Sequence, residues 1–311
     1  MTKEMFIIFL AVLLMAVSTS GMAEQPGQKE FEKRTDIPFI GHIDPAKYKD
    51  SKNAHDGAGI LSYMELMPGE MFDTNILFIH RGILKPKGGI GEHIHRKMEE
   101  MYIVFDGPSQ FTVNGRTAEL PAGSMVLCPM GSSHAIYNHT DKPVEWMNIG
   151  VGYEKGKYDA INYNDDRVNA KIESPAPFLW AQFDRSLLYP VSRAHQGKGT
   201  ILFRRIWHNE AFKTNWYFID HCLLPPDTSI GYHQHNTIEE IYYVMSGKGR
   251  FTVNDKTFDV KAGDALPCRL HDSHGLYNNS DKDLEIMVVS VASAKGYDKF
   301  GKEWGDDLSS R

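Results

Sequence analysis

Hydrophobic residues in this chain come in short runs rich in β-branched and aromatic members, such as Met101-Tyr-Ile-Val-Phe105, Gln110-Phe-Thr-Val113 and Leu284-Glu-Ile-Met-Val-Val-Ser-Val291. Asp106-Gly107-Pro108, Asn114-Gly115 and Pro121-Ala-Gly123 punctuate them as turns. No long stretch carries an apolar period of 3.6, so the pattern predicts an all-β chain of many short strands. Closing such strands into small barrels or jelly rolls shelters the sheet edges and encloses a pocket. One run departs from this texture. Met5 to Val17 is continuously apolar and is followed by Ser-Thr-Ser-Gly-Met-Ala. At about 13 residues it is too short to span a bilayer, and Gly21-x-Ala23 fits a signal-peptidase site, so residues 1–23 read as a cleaved export signal. The mature chain is then expected to be exported, periplasmic or secreted, with no membrane attachment after cleavage.

The chain also repeats itself. Gly91-Glu-His-Ile-His-Arg-Lys-Met-Glu-Glu100 returns as Gly231-Tyr-His-Gln-His-Asn-Thr-Ile-Glu-Glu240, an offset of 140 residues. The same offset maps Phe111-Thr-Val-Asn114 onto Phe251-Thr-Val-Asn254, Cys128 onto Cys268, His134 onto His274 and Ala54-His55 onto Ala194-His195. Two tandem domains are predicted at 38–165 and 178–305. An N-terminal arm (24–37), a Pro-containing joint (166–177) and a short tail (306–311) complete the chain.

Composition narrows the function classes. A net charge of −6 with no basic block gives nucleic acid nothing to hold on to. The three cysteines, Cys128, Cys222 and Cys268, allow one bridge at most and read as buried, inert thiols. A small-molecule partner is expected, and self-association into a homo-oligomer is left open.

On a strand, residues i and i+2 face the same way, so His93 and His95 project together, as do His233 and His235. A glutamate from a neighbouring strand, Glu100 or Glu240, and a distant histidine, His134 or His274, complete a set of three nitrogens and one oxygen. Four donors on an octahedral ion leave two positions for a ligand. Imidazole with carboxylate suits iron, manganese, zinc, nickel or cobalt.

These motifs resemble those of the cupin superfamily. His93-x-His95-x4-Glu100-x6-Gly107 followed by Gly123-x5-Pro129-x-Gly131-x2-His134-x3-Asn138 matches both cupin half-motifs. The second copy matches through His233, His235, Glu240, Gly247, Gly263, His274 and Asn278, with Arg269 and His271 replacing a proline and a glycine. The resemblance implies a bicupin with one divalent ion per domain, iron or manganese above all. It favours Glu100 and Glu240 over the adjacent Glu99 and Glu239, because the six-residue gap to Gly107 and Gly247 belongs to the motif. Glu99 and Glu239 then become polar rim groups and, with Tyr102 and Tyr242, candidate acid–base residues. His55 and His195 read as structural hydrogen-bonding residues before a glycine turn, and His271 as a candidate orienter of His274. Arg96-Lys97 beside the first site becomes Asn236-Thr237 beside the second, so an anionic substrate is expected to favour the first.

Three functions fit. The leading one is a metal-dependent oxygenase of dioxygenase type acting on a small, chelating, oxygen-rich compound. A non-oxidative lyase, decarboxylase or isomerase is the alternative, and a ligand- or metal-binding exported protein without chemistry is the third.

Overall fold

The computed structural model describes residues 34–311. The expected export signal lies outside the described residues. No helix among the described residues is long and apolar enough to cross a membrane.

The described chain is built of strands, with only three-residue 3-10 turns between some of them. Each copy pairs a seven-stranded sheet with a five-stranded one, all paired strands running antiparallel. Local sequence accounts for the tight connections. Asn114 and Gly115 join Ser109–Val113 to Arg116–Leu120 with φ values of 51° and 73°. That is the backbone a two-residue hairpin needs if it is to follow strand twist, and asparagine and glycine reach it at least cost. The second copy does the same with Asn254 and Asp255 at 47° and 65°.

Alternation of side chains sorts most of the buried apolar residues into three large cores, beside a small cluster of Tyr232, Tyr277 and Leu308. One fills the first barrel around Phe111, Tyr102 and Trp146, and a second fills the other barrel around Phe251, Tyr242 and Ile286. The third lies between the copies, where Met67, Ile79, Met101 and Ile149 meet Trp207, Trp216, Ile219 and Val289. The large sheets therefore bury both faces, which explains why their strands read as nearly continuous apolar runs.

The two copies also exchange edge strands. Gly41–His42 from the N-terminal end pairs with Asp264–Cys268 of the second copy. Trp180–Gln182 from the start of the second copy pairs with Ser124–Cys128 of the first.

Glu99 and Glu239 mark the same intimacy. Each is wholly buried rather than on a polar rim. Glu99 accepts from the backbone N–H groups of Lys213 and Thr214, at 2.9 and 2.7 Å, and from the Thr214 hydroxyl at 2.7 Å. Glu239 accepts from Asp73 N–H, Thr74 N–H and the Thr74 hydroxyl, at 2.9, 2.8 and 2.6 Å. Both expected acid–base carboxylates thus clamp a loop of the opposite copy, on the sheet face turned away from their own barrel. All three cysteines are buried and free, and burial pushes each thiol well above its ordinary pKa.

Candidate metal centre

Three strands build each site. In the first copy, Gly89–Ile94 leads into His93 and His95, Met98–Val104 carries Glu100, and Ser133–Tyr137 carries His134. Register brings them together, since His134 lies opposite His93, as His274 lies opposite His233. The eight expected ligands form two groups, His93, His95, Glu100, His134 and His233, His235, Glu240, His274, all buried, with the donor atoms of each group within 4.8 Å of one another.

The donors are prepared for an ion. Nδ1 of His93 is held by Gly91 O at 2.8 Å, and that of His233 by Gly231 O at 2.8 Å. A carbonyl only accepts, so each ring carries its proton on Nδ1 and turns an Nε2 lone pair inward. Among the described residues, Nε2 of His93 and of His233 is buried without a hydrogen-bond partner. A buried lone pair left bare is costly, and a divalent cation satisfies it.

Electrostatics agree. Burial alone would raise the Glu100 carboxyl, but hydrogen bonding to His134 and His95 outweighs it and holds the group well below the carboxylate range. Glu240 goes the same way, down to about 2, as the neighbouring His235 and His274 imidazoles together overcome burial. Burial also drives His93 down to about 2 and His235 to about 4, which favours the neutral rings that ligation needs, whereas at His95 the hydrogen bond and charge of Glu100 outweigh burial and raise the ring.

Each group borders a cavity, the first through Glu100 and the second through His235 and Glu240. The first, of about 330 Å³, is lined by His55, Tyr63, Phe78, His80, Glu100, Tyr102, Trp146, Asn148 and Tyr158. Asn148 donates to Glu100 at 3.2 Å, and Phe78 stacks on His80 at 4.4 Å. The second, of about 440 Å³, contains His195, Arg205, Tyr217, Phe218, Asp220, Glu240, Tyr242, Asp298 and Glu303. Arg205 donates twice to Asp220, at 2.9 and 3.0 Å, and lies 3.9 Å over the Phe218 ring.

The other expected residues sort unequally. Tyr102 and Tyr242 border the cavities, but burial and the neighbouring glutamate push both phenols well above their ordinary pKa, so they act as neutral walls. Arg96 and Lys97 are exposed and line a separate depression with Met130 and Tyr153, outside the first cavity. The chain has left the barrel strand there, and their backbone N–H groups are bound by Asp159. Among the described residues, the cation lining a cavity beside a metal group is Arg205, in the second copy. His271 is half-exposed and meets Asn236, while Nδ1 of His274 is held by Asp272 O at 3.1 Å instead.

Sequence reasoning missed the Arg205–Asp220 pair and undervalued His55 and His195. A signal for the pair existed. The offset of 140 places Arg205 and Asp220 at Glu65 and His80, which also face each other across two strands. Charge reversal at one register position of a repeat marks diverged linings.

His80 has a consequence for pH. Burial lowers it to about 4, whereas an unfolded histidine takes its proton near 6.5. Between those values the unfolded chain binds more protons, so stability falls as pH falls from about 6.5 to about 4, by on the order of 2–3 kcal/mol. His80→Gln is expected to flatten that segment of the urea-stability profile relative to the parent. Parallel profiles would contradict it.

Comparison with known proteins agrees with this geometry. The model of the cupin domain family matches residues 80–150 and 220–290. An oxalate-binding protein of Thermotoga maritima is 33% identical over 101 residues, which covers 32% of this chain and 84% of that protein. A mannose-1-phosphate guanylyltransferase of Klebsiella pneumoniae is 29% identical over 87 residues, covering 28% of this chain but only 18% of that enzyme. Among solved structures, oxalate decarboxylase of Bacillus subtilis at pH 4.6 superposes with a TM-score of 0.58 at 15% identity, over 88% of this chain and 80% of that one. A further structure of that enzyme, described for its Mn(II) centres, gives a TM-score of 0.58 at 15% identity, over 87% and 81%. Each barrel has a site for one divalent ion, with manganese the ion named for that fold neighbour. With both half-motifs present twice and each pair of half-motifs closing on one ligand group, this chain belongs to the cupin family and is a bicupin.

Proposed function

We propose that the protein is a metal-dependent enzyme acting without net oxidation on a small chelating acid, as a decarboxylase or lyase, with the second cavity as its reaction chamber. One observation carries this. Arg205 and Asp220 sit in the cavity walled by Glu240, and Asp220 is raised by burial to about 6 even though Arg205 pulls it down. A carboxyl with that pKa both gives and takes a proton near neutrality. Asp220 engages Nε and Nη2 of Arg205, and no partner for Nη1 is found among the described residues, so that edge is available to a substrate carboxylate. Phe218 fixes the plane of the guanidinium from below. His233, His235, Glu240 and His274 would hold a divalent ion, which would supply Lewis acidity to a chelating substrate. The relatives named for oxalate support an acid of that size.

A second reading, the oxygenase expected from the sequence, finds support in the first cavity. Around Tyr63, Phe78 and Trp146 the described residues of its lining include no lysine or arginine, which suits an uncharged enol and dioxygen.

Oxalate and other small chelating acids, assayed with and without dioxygen, separate the two. The proposal expects turnover to persist anaerobically, and Arg205→Gln to raise KM about 10-fold or more, the size of one charged hydrogen bond. Arg96→Gln should leave KM unchanged. Turnover that stops without dioxygen would transfer the function to the oxygenase reading.

A further inference from the structure

Neither the ligand set nor the proposed chemistry uses His55 and His195, yet both copies build the same unusual feature around them. The His55 ring lies flat on that of His93, with centroids 3.8 Å apart and planes 5° apart, and edge-on to His95 at 6.2 Å. His195 repeats this on His233 at 3.8 Å and 3°, and on His235 at 6.0 Å. Both backbones are left-handed, with φ of 50° and 49°, a conformation that costs a residue bearing a Cβ. The turn is pressed onto the ligand strand. A Cβ at Gly91 would stand 2.2 Å from the carbonyl oxygen of His55, and one at Gly231 would stand 2.1 Å from that of His195. Glycine at 91 and 231 is therefore what lets the stacking ring come so close.

The outer edge of each stacked ring is also held. Nδ1 of His55 donates to Asn162 Oδ1 at 2.8 Å, and Nδ1 of His195 to Glu303 Oε1 at 3.0 Å. These two acceptors come from the strands Ile161–Asn162 and Phe300–Glu303, which cover the ligand strands. In register, Asn162 is the partner of His93, and Glu303 the partner of His233. Each site thus closes a ring of contacts running from ligand histidine to stacked histidine to covering strand and back to the ligand.

We propose that His55 and His195 are positioning residues that fix the plane of the first ligand histidine and tie it to the covering strand, so that release of the ion requires that strand to part. The inference concerns retention of the metal and holds whatever the substrate. Glu303 brings a charge-assisted hydrogen bond where Asn162 brings a neutral one, so the second site is the more firmly tied.

The test uses the full chain with the first site disabled by His93→Ala and His95→Ala, and manganese(II) loaded into the second. Release into excess chelator is followed by the EPR signal of the bound ion. His195→Ala is expected to speed release about 10-fold or more and to broaden the spectrum of the bound ion. His195→Phe keeps a flat ring on His233 but loses the bond to Glu303. It should preserve the spectrum while speeding release about threefold and raising amide exchange at residues 301–303. Glu303→Ala, which removes the bonds from His195 and Gln196 but leaves the His195 ring on His233, should speed release at least as much as His195→Phe. Release within twofold of the parent for both His195→Ala and Glu303→Ala overturns the proposal. So does faster release with unchanged exchange in the covering strand. Loss of the carboxylate reading, by contrast, would show as absent turnover with these release rates unaltered.

Discussion

Replacing His233 with alanine is expected to leave the protein with one divalent ion per chain where the parent binds two, one at each ligand group. His233 is entirely buried, its Nδ1 is already committed to Gly231, and its bare Nε2 points at the other three donors. Alanine removes one donor in four and leaves a hole that water fills poorly. Losing even an outer partner of a ligand lowers metal affinity about 10–100-fold, and losing the ligand itself costs more. Glu240 then stays buried with fewer counter-groups. His93→Ala should do the same to the first site, and the double variant should bind neither ion. Metal analysis of the purified proteins reads the result directly. If the second cavity is the reaction chamber, His233→Ala abolishes turnover, by about 100-fold or more, while His93→Ala spares most of it. Two ions retained in both single variants would refute the ligand assignment.

Glu99→Ala is expected to be among the most destabilising single changes outside the metal groups. Its carboxylate is wholly buried and supplies the acceptor for two backbone N–H groups and one hydroxyl of the 213–214 loop. Alanine strands three donors, each costing about 1–3 kcal/mol when unmet, and a cost of about 3–5 kcal/mol is the expected total. For a chain of this size that lowers the melting temperature by roughly 6–15 °C. Glu239→Ala should cost about as much, through the 73–74 loop. Catalytic carboxylates behave otherwise, since their removal abolishes activity with little loss of stability. Chemical denaturation beside an activity assay therefore decides between clamp and catalyst, and an inactive Glu99→Ala protein of parental stability would restore the acid–base role.

The contrast between these residues shows what the sequence could convey. His-x-His on a strand, the second glutamate and the distant histidine were legible because one period of 140 repeats them, and because strand alternation puts i and i+2 on one face. The all-β texture was legible for the same reason of local pattern. Glu99 was misplaced because its partners lie 114 and 115 residues away, across an interface that no local pattern encodes. Arg205 and Asp220 became a pair only once two strands were set in register. His55 and His195 were visible as a repeated residue, but their left-handed backbone and stacked rings follow from how a turn packs on a strand. Contacts long in sequence and short in space account for what was not read in advance.

The exchanged strands make the two halves hard to part. Gly41–His42 completes the sheet of the later copy and Trp180–Gln182 that of the earlier one, so a cut at the joint would sever neither bond but would hand each half a strand meant for its neighbour. A separately produced half would carry a bare sheet border and an uncovered slab of the shared apolar interior, both of which invite self-association. Duplication thus appears here as interlocking, and any trade of one half for a foreign barrel would have to carry the borrowed border strand with it.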